Sequence, residues 1–122
     1  MLQRRTVLKV ADNTGAKSLY IIGLAKGSGK RFGKLGEVVT CVVRGANPLG
    51  AVKDHEKVKA VIVRTKKETG RKDGSYIRFS DNAAVIIDAA NVPRGTRVFG
   101  PIAQEIKQRG FAKIASLAKE VI

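Results

Sequence analysis

Short runs of β-branched and aliphatic residues, separated by turn residues, fill the first two-thirds of the chain. Residues 7–10 form the first run. They lead into Asp12, Asn13, Thr14 and Gly15, a turn composition in which Gly15 can take a positive φ. Residues 19–22 follow, then a glycine-rich stretch over 27–36. Residues 37–44 read as a strand, with 45–50, including Pro48, as its exit loop. The clearest strand is 58–65, where the period-two rule puts Val58, Ala60 and Ile62 on one face and Lys59 and Val61 on the other. Asp73-Gly74 is a strong hairpin dipeptide between the basic run 64–72 and the segment 76–79, and it predicts a projecting basic β-ribbon. Residues 83–88 form another apolar strand. About five or six short strands are too few for two sizeable sheets, so the predicted fold is mainly β, a small closed barrel without exposed edges.

The last third changes character. Residues 93–101 hold two prolines and two glycines among basic and apolar residues, the composition of an ordered loop. Residues 102–109 place Ile102, Ala103 and Ile106 at helical spacing and stop at Gly110. Residues 111–118 repeat the pattern with Phe111, Ile114, Ala115 and Leu117, which predicts two short helices packed on the barrel. A length of 122 residues fits one domain over 1–122, and no internal repeat or linker interrupts it. At 43% hydrophobic the chain is too apolar for a disordered basic tail, and with 5% aromatic residues and no Trp its core must be aliphatic.

Charge then narrows the function. The chain carries 24 Lys and Arg against 10 Asp and Glu, a formal +14. Such an excess repels itself in the compact state, and a polyanionic partner, most often nucleic acid, is its natural counterpart. A merely soluble basic protein is the bland alternative. Cys41 is the only cysteine, so no internal disulfide can form. The amino-terminal residues turn polar at once, and no apolar run reaches the roughly 18–20 residues that cross a bilayer. The expectation is a soluble cytoplasmic protein without a membrane partner.

Three stretches carry candidate chemistry. Lys26, Lys30, Arg31 and Lys34 lie among glycines over 26–34, where backbone amides can approach phosphate and cations can neutralise it. The spacing fails the phosphate-loop motif in both registers, so nucleotide hydrolysis is set aside. A flexible solvated hairpin tip is the alternative. The arm 64–78 holds Arg64, Lys66, Lys67, Arg71, Lys72 and Arg78 against Glu68 and Asp73; on a ribbon these cations can reach phosphates on both sides of a groove, as suits A-form RNA. The alternative is a solvated surface hairpin. Tyr76 and Phe79 could stack on bases but fit a core as well. The rigid loop 93–101 holds Arg94, Thr96 and Arg97 in place, with Val98 and Phe99 as anchors, either as a binding edge or as a structural crossover. Catalytic groups are scarce. His55 is the only histidine and sits in a charged loop, Cys41 lies in an apolar strand, and Asp12, Asp54, Glu56, Asp73 and Asp81 mostly sit at turns. No cofactor or metal site and no enzyme activity are expected.

These residues resemble those of the universal large-subunit ribosomal protein of the L-fourteen family, of bacterial type, across essentially the whole chain. The pattern runs through residues 8–16, residues 60–67, Asp73-Gly74, Tyr76, Phe79, Asn82, Val85-Ile86, residues 95–101 and residues 111–122. The resemblance implies a five-stranded barrel with a projecting ribbon and small carboxy-terminal helices. It further implies binding to large-subunit ribosomal RNA, contacts with neighbours of the L-three and L-nineteen families, and a bridge to small-subunit RNA. It also implies a surface on which a ribosome-silencing factor docks, matched here by Thr96, Arg97 and Lys113 and flanked by Arg94. The ribosome in question is that of the cytoplasm or of an organelle. The alanine-rich stretch 111–119 and the compact loop 88–92 depart from common family members. A free barrel that binds single-stranded nucleic acid is the competing reading, and the poor aromatic supply counts against it.

Overall fold

The computed structural model of the chain describes residues 6–24 and 33–122. Its strands are β1 (Val7–Val10), β2 (Ala16–Leu24), β3 (Val38–Ala46), β4 (Lys57–Arg64), β5 (Thr69–Gly70), β6 (Tyr76–Ile77) and β7 (Ala83–Ile87), followed by helices α1 (Gln104–Gln108) and α2 (Ala112–Leu117). Five strands close into a barrel in the order β1-β2-β3-β4-β7. Neighbours are antiparallel except at the seam, where β1 meets β7 in parallel through Lys9↔Ala83 and Val10↔Ala84. Register shifts at Ile21/Gly23 in β2 and at Ile62/Arg64 in β4 supply the local bends that closure of so few strands requires.

The interior is aliphatic, as the composition dictates. Leu8, Leu19, Ile21, Val39, Cys41, Val43, Ala60, Ile62 and Ile86 are sealed from solvent. Each Val, Leu or Ile among them contributes on the order of 1.5–3 kcal/mol on burial. The alternation expected in β4 holds for Val58, Lys59 and Ala60 and then stops, because Val61 and Val63 are buried as well. The carboxy-terminal segment reaches this part of the wall: Ala103 N–H donates to the Val63 carbonyl, and Ile102, Ile106, Phe111 and Ile114 join the same core cluster.

Both helices are shorter than the pattern predicts, because their ends are recruited into pairing. Ile102 bridges Val121 and Ala118 bridges Val98, each in parallel. Strand β3 continues two residues past the expected end, to Ala46. The ribbon is the shortest element, with only Thr69↔Ile77 and Gly70↔Tyr76 paired. Its tip is a turn in which Ser75 donates from both N–H and hydroxyl to Asp73 Oδ1, and those bonds, with Arg71 nearby, hold the Asp73 carboxyl below the usual range. Among the described residues no helix is long and apolar enough to cross a membrane.

Candidate nucleic-acid interface

The cations singled out in the sequence fall into two structural groups. Lys26, Lys30 and Arg31 lie outside the described residues. Lys34, Lys66, Lys67, Lys72 and Arg78 are exposed, and none of them forms an ion pair with another described residue. Arg64 and Arg71 are spoken for within the protein. Arg64 ends β4, with Nε 3.1 Å from Asp81 Oδ1 and an N–H donated to the Phe99 carbonyl at 3.2 Å. Its side chain is only 12% exposed. Gly100, at φ +79, leaves the room the guanidinium occupies, since a Cβ there would collide with it. Arg71 turns back from the ribbon, placing Nε 3.0 Å from Glu105 Oε1 on α1 and donating to the Ile122 carbonyl. The ribbon is thereby tied to α1 and to the last residues of the chain.

The loop 93–101 is fastened from below. Arg94 is half-buried, 2.8 Å from Glu56 Oε2, and it donates to the Ala51 carbonyl at 2.8 Å. The Arg94 bond and the Lys53 N–H hold the Glu56 carboxyl below its ordinary range. Asn13 does the rest: its Oδ1 accepts the N–H groups of Thr96 at 2.8 Å and Arg97 at 3.1 Å, and its Nδ2 donates to the Thr96 hydroxyl at 2.8 Å. Next to it, buried Asp12 accepts the Thr14 hydroxyl at 2.6 Å, the Thr14 N–H at 3.2 Å and the Ile86 N–H at 2.9 Å. Burial pushes the Asp12 carboxyl above its usual range, against the pull of those bonds. The side chains of Thr96 and Arg97 remain exposed. Val98 pairs with Ala118, which follows α2, and so sets the loop beside the helix that carries exposed Lys113.

Sequence reasoning passed over two features here. Asn13 read as a turn residue only, because its bonding partners lie more than eighty positions away. The second is the stacking of Arg44 over Tyr20, with the guanidinium carbon 4.3 Å from the ring centroid, on the outer wall of the barrel. The available signal was compositional. The five barrel strands contain Lys and Arg but no Asp or Glu.

Among the described residues the remaining titratable groups assemble no reactive centre. Cys41 is buried and its thiol is pushed up to about 12. His55 sits at φ 64 on an open turn with its side chain 82% exposed. Among the described residues no cluster of three His, Cys, Asp or Glu could hold a metal ion.

Fold and surface together define a class, a small closed β-barrel whose cationic outer positions are held on a rigid, carboxylate-free frame. Residues 1–122 match the model of the family described as ribosomal protein L14p/L23e. The chain belongs to that family, whose members are structural constituents of the large ribosomal subunit rather than enzymes.

Proposed function

We propose that the protein binds large-subunit ribosomal RNA and contributes to a bridge with small-subunit RNA. The observation that supports this reading is the division of labour among its cations. Arg64, Arg71 and Arg94 hold the fold together, whereas Lys34, Lys66, Lys67, Lys72 and Arg78 stand exposed with no acidic partner among the described residues. An unpaired surface lysine on a rigid frame can neutralise a phosphate without first breaking a contact of its own, so counterion release is fully available to drive binding. Lys26, Lys30 and Arg31 extend the same set in sequence. Thr96, Arg97 and Lys113, exposed beside one another's elements, are the surface proposed for the bridge and for a silencing factor. Proteins of the L-three and L-nineteen families are the proposed neighbours.

The test is the salt dependence of binding to a large-subunit RNA transcript. Replacing Lys66 and Lys67 together with Gln should weaken binding whatever the local RNA sequence and lower the salt slope by about 2. An unchanged slope would remove the ribbon base from the interface. Failure of the wild-type chain to bind the transcript at any salt would end the RNA-binding reading.

A further inference from the structure

The barrel wall offers a second surface. Its strands hold Lys9, Lys17, Arg44, Lys57, Lys59 and Arg64 with no carboxylate among them. Alternation sends Leu8, Leu19, Ile21, Val39, Cys41 and Val43 into the core, so their neighbours in each strand face outward. The register lays these outward residues in rows. Lys9 pairs with Ser18 and Ser18 with Arg44; Val7 pairs with Tyr20, Tyr20 with Val42 and Val42 with Lys57; Thr40 pairs with Lys59. Four strands in sequence make a face about 14 Å wide, with Tyr20, Val42 and Arg44 on its two inner strands and Lys9, Lys57 and Lys59 on its outer ones.

Several side chains of this face are open to solvent. Val7 is 52% and Ile22 37% exposed, and Arg44, Lys57 and Lys59 are open to solvent. Lys57 and Lys59 form no ion pair with a described residue, and Lys9 reaches Asp81 only at 3.8 Å. At the centre, Arg44 lies over the Tyr20 ring while Ser18 Oγ donates to the Arg44 carbonyl at 3.1 Å. The side chain and the backbone of Arg44 are therefore both held. A guanidinium ordered in this way can offer its outer side to a base at little further entropic cost.

We propose that the outward face of β1–β4 docks an unpaired segment of ribosomal RNA. In this arrangement a base stacks on the Tyr20–Arg44 pair, and Lys9, Lys57 and Lys59 hold the flanking phosphates. The proposal rests on the RNA-binding reading above and adds the single-stranded class and the site. An unpaired strand is favoured over a duplex because stacking requires a base free of its helix, and nucleic acid over protein because the strands of this face carry cations and no acid, the carboxylate of Asp81 lying at its Lys9 margin.

The full chain is titrated with the large-subunit transcript and, separately, with a single-stranded oligouridylate. Tyr20→Leu and Arg44→Gln are expected to weaken oligouridylate binding about tenfold each. The Lys57→Gln/Lys59→Gln variant, altered only at exposed positions, is expected to lower the salt slope by about 1.4. If these variants bind both RNAs as the wild type does while the Lys66/Lys67 variant is weakened, the wall proposal falls and the RNA reading stands. If the wild-type chain binds neither RNA, both fall. A photoreactive probe on Lys59→Cys, selective because Cys41 is buried, should cross-link to ribosomal RNA in the assembled large subunit. Cross-linking to a protein there instead would overturn the proposal.

Discussion

The seam between the barrel and its carboxy-terminal wrap is held by different chemistry from the open surface beside it. At the seam, Arg64, Arg71 and Arg94 each combine an ion pair with a bond to a backbone carbonyl, and Asp12 and Asn13 gather the N–H groups of distant residues. On the open surface stand Lys34, Lys66, Lys67 and Lys72, with Arg78, without acidic partners among the described residues. The difference follows from side-chain chemistry. A planar guanidinium can satisfy a carboxylate and a carbonyl at once and keep its geometry, whereas an ammonium on a flexible stem suits contact with a phosphate whose position the protein does not set. The positive charge is thus two populations, one engaged in ion pairs within the fold and one without acidic partners among the described residues.

Asp12→Ala should strike the seam hardest. It leaves the buried Ile86 N–H and the Thr14 groups without their acceptor, and should cost about 2–4 kcal/mol in denaturant unfolding. Its pH dependence has a definite sign. The folded carboxyl titrates above the unfolded value of about 3.9, so unfolding favours ionisation and this group's contribution is lost as pH rises through that interval. The gap between wild type and variant is therefore widest in acid and narrows toward neutrality. Arg94→Ala comes next, with an expected loss of about 1–2 kcal/mol and unchanged affinity for the RNA transcript; weakened RNA binding with unchanged stability would erase the distinction between seam and surface. The smallest effect belongs to the Lys66→Gln/Lys67→Gln variant, whose unfolding free energy should stay within about 0.5 kcal/mol of the wild type although its RNA affinity drops.

The barrel was legible in the sequence because local pattern determines it. The β-branched runs near Val7, Leu19, Val38, Val58 and Ala83 became the five barrel strands, and Asp73-Gly74 became the ribbon turn. Less legible was whatever depends on distant partners. Arg64 and Arg71 read as ribbon cations because nothing local announces Asp81, Glu105 or the Ile122 carbonyl as their partners. Arg94 likewise belongs to a clamp on Glu56 and Ala51, so of the three polar residues singled out in its loop Thr96 and Arg97 stand exposed; of the two expected anchors Val98 is buried, whereas Phe99 is 52% exposed. The Tyr20–Arg44 pair needs the register of β2 on β3, which periodicity cannot supply. Even the alternation of β4 failed where the carboxy-terminal segment covers its outer face.

The parallel seam of β1 with β7 also sets an order of assembly. Lys9 pairs with Ala83, so during synthesis the first strand waits for more than seventy residues before its second edge is covered. At about 5–20 residues per second that delay is on the order of 4–15 s, during which an unsatisfied row of backbone groups faces the cell. Closing so long a loop is entropically slow, and a folding rate limited by this late zippering is the kinetic signature to look for. Lys9, exposed in the middle of that waiting edge, places there a charge of the kind that disfavours edge-to-edge pairing of strands.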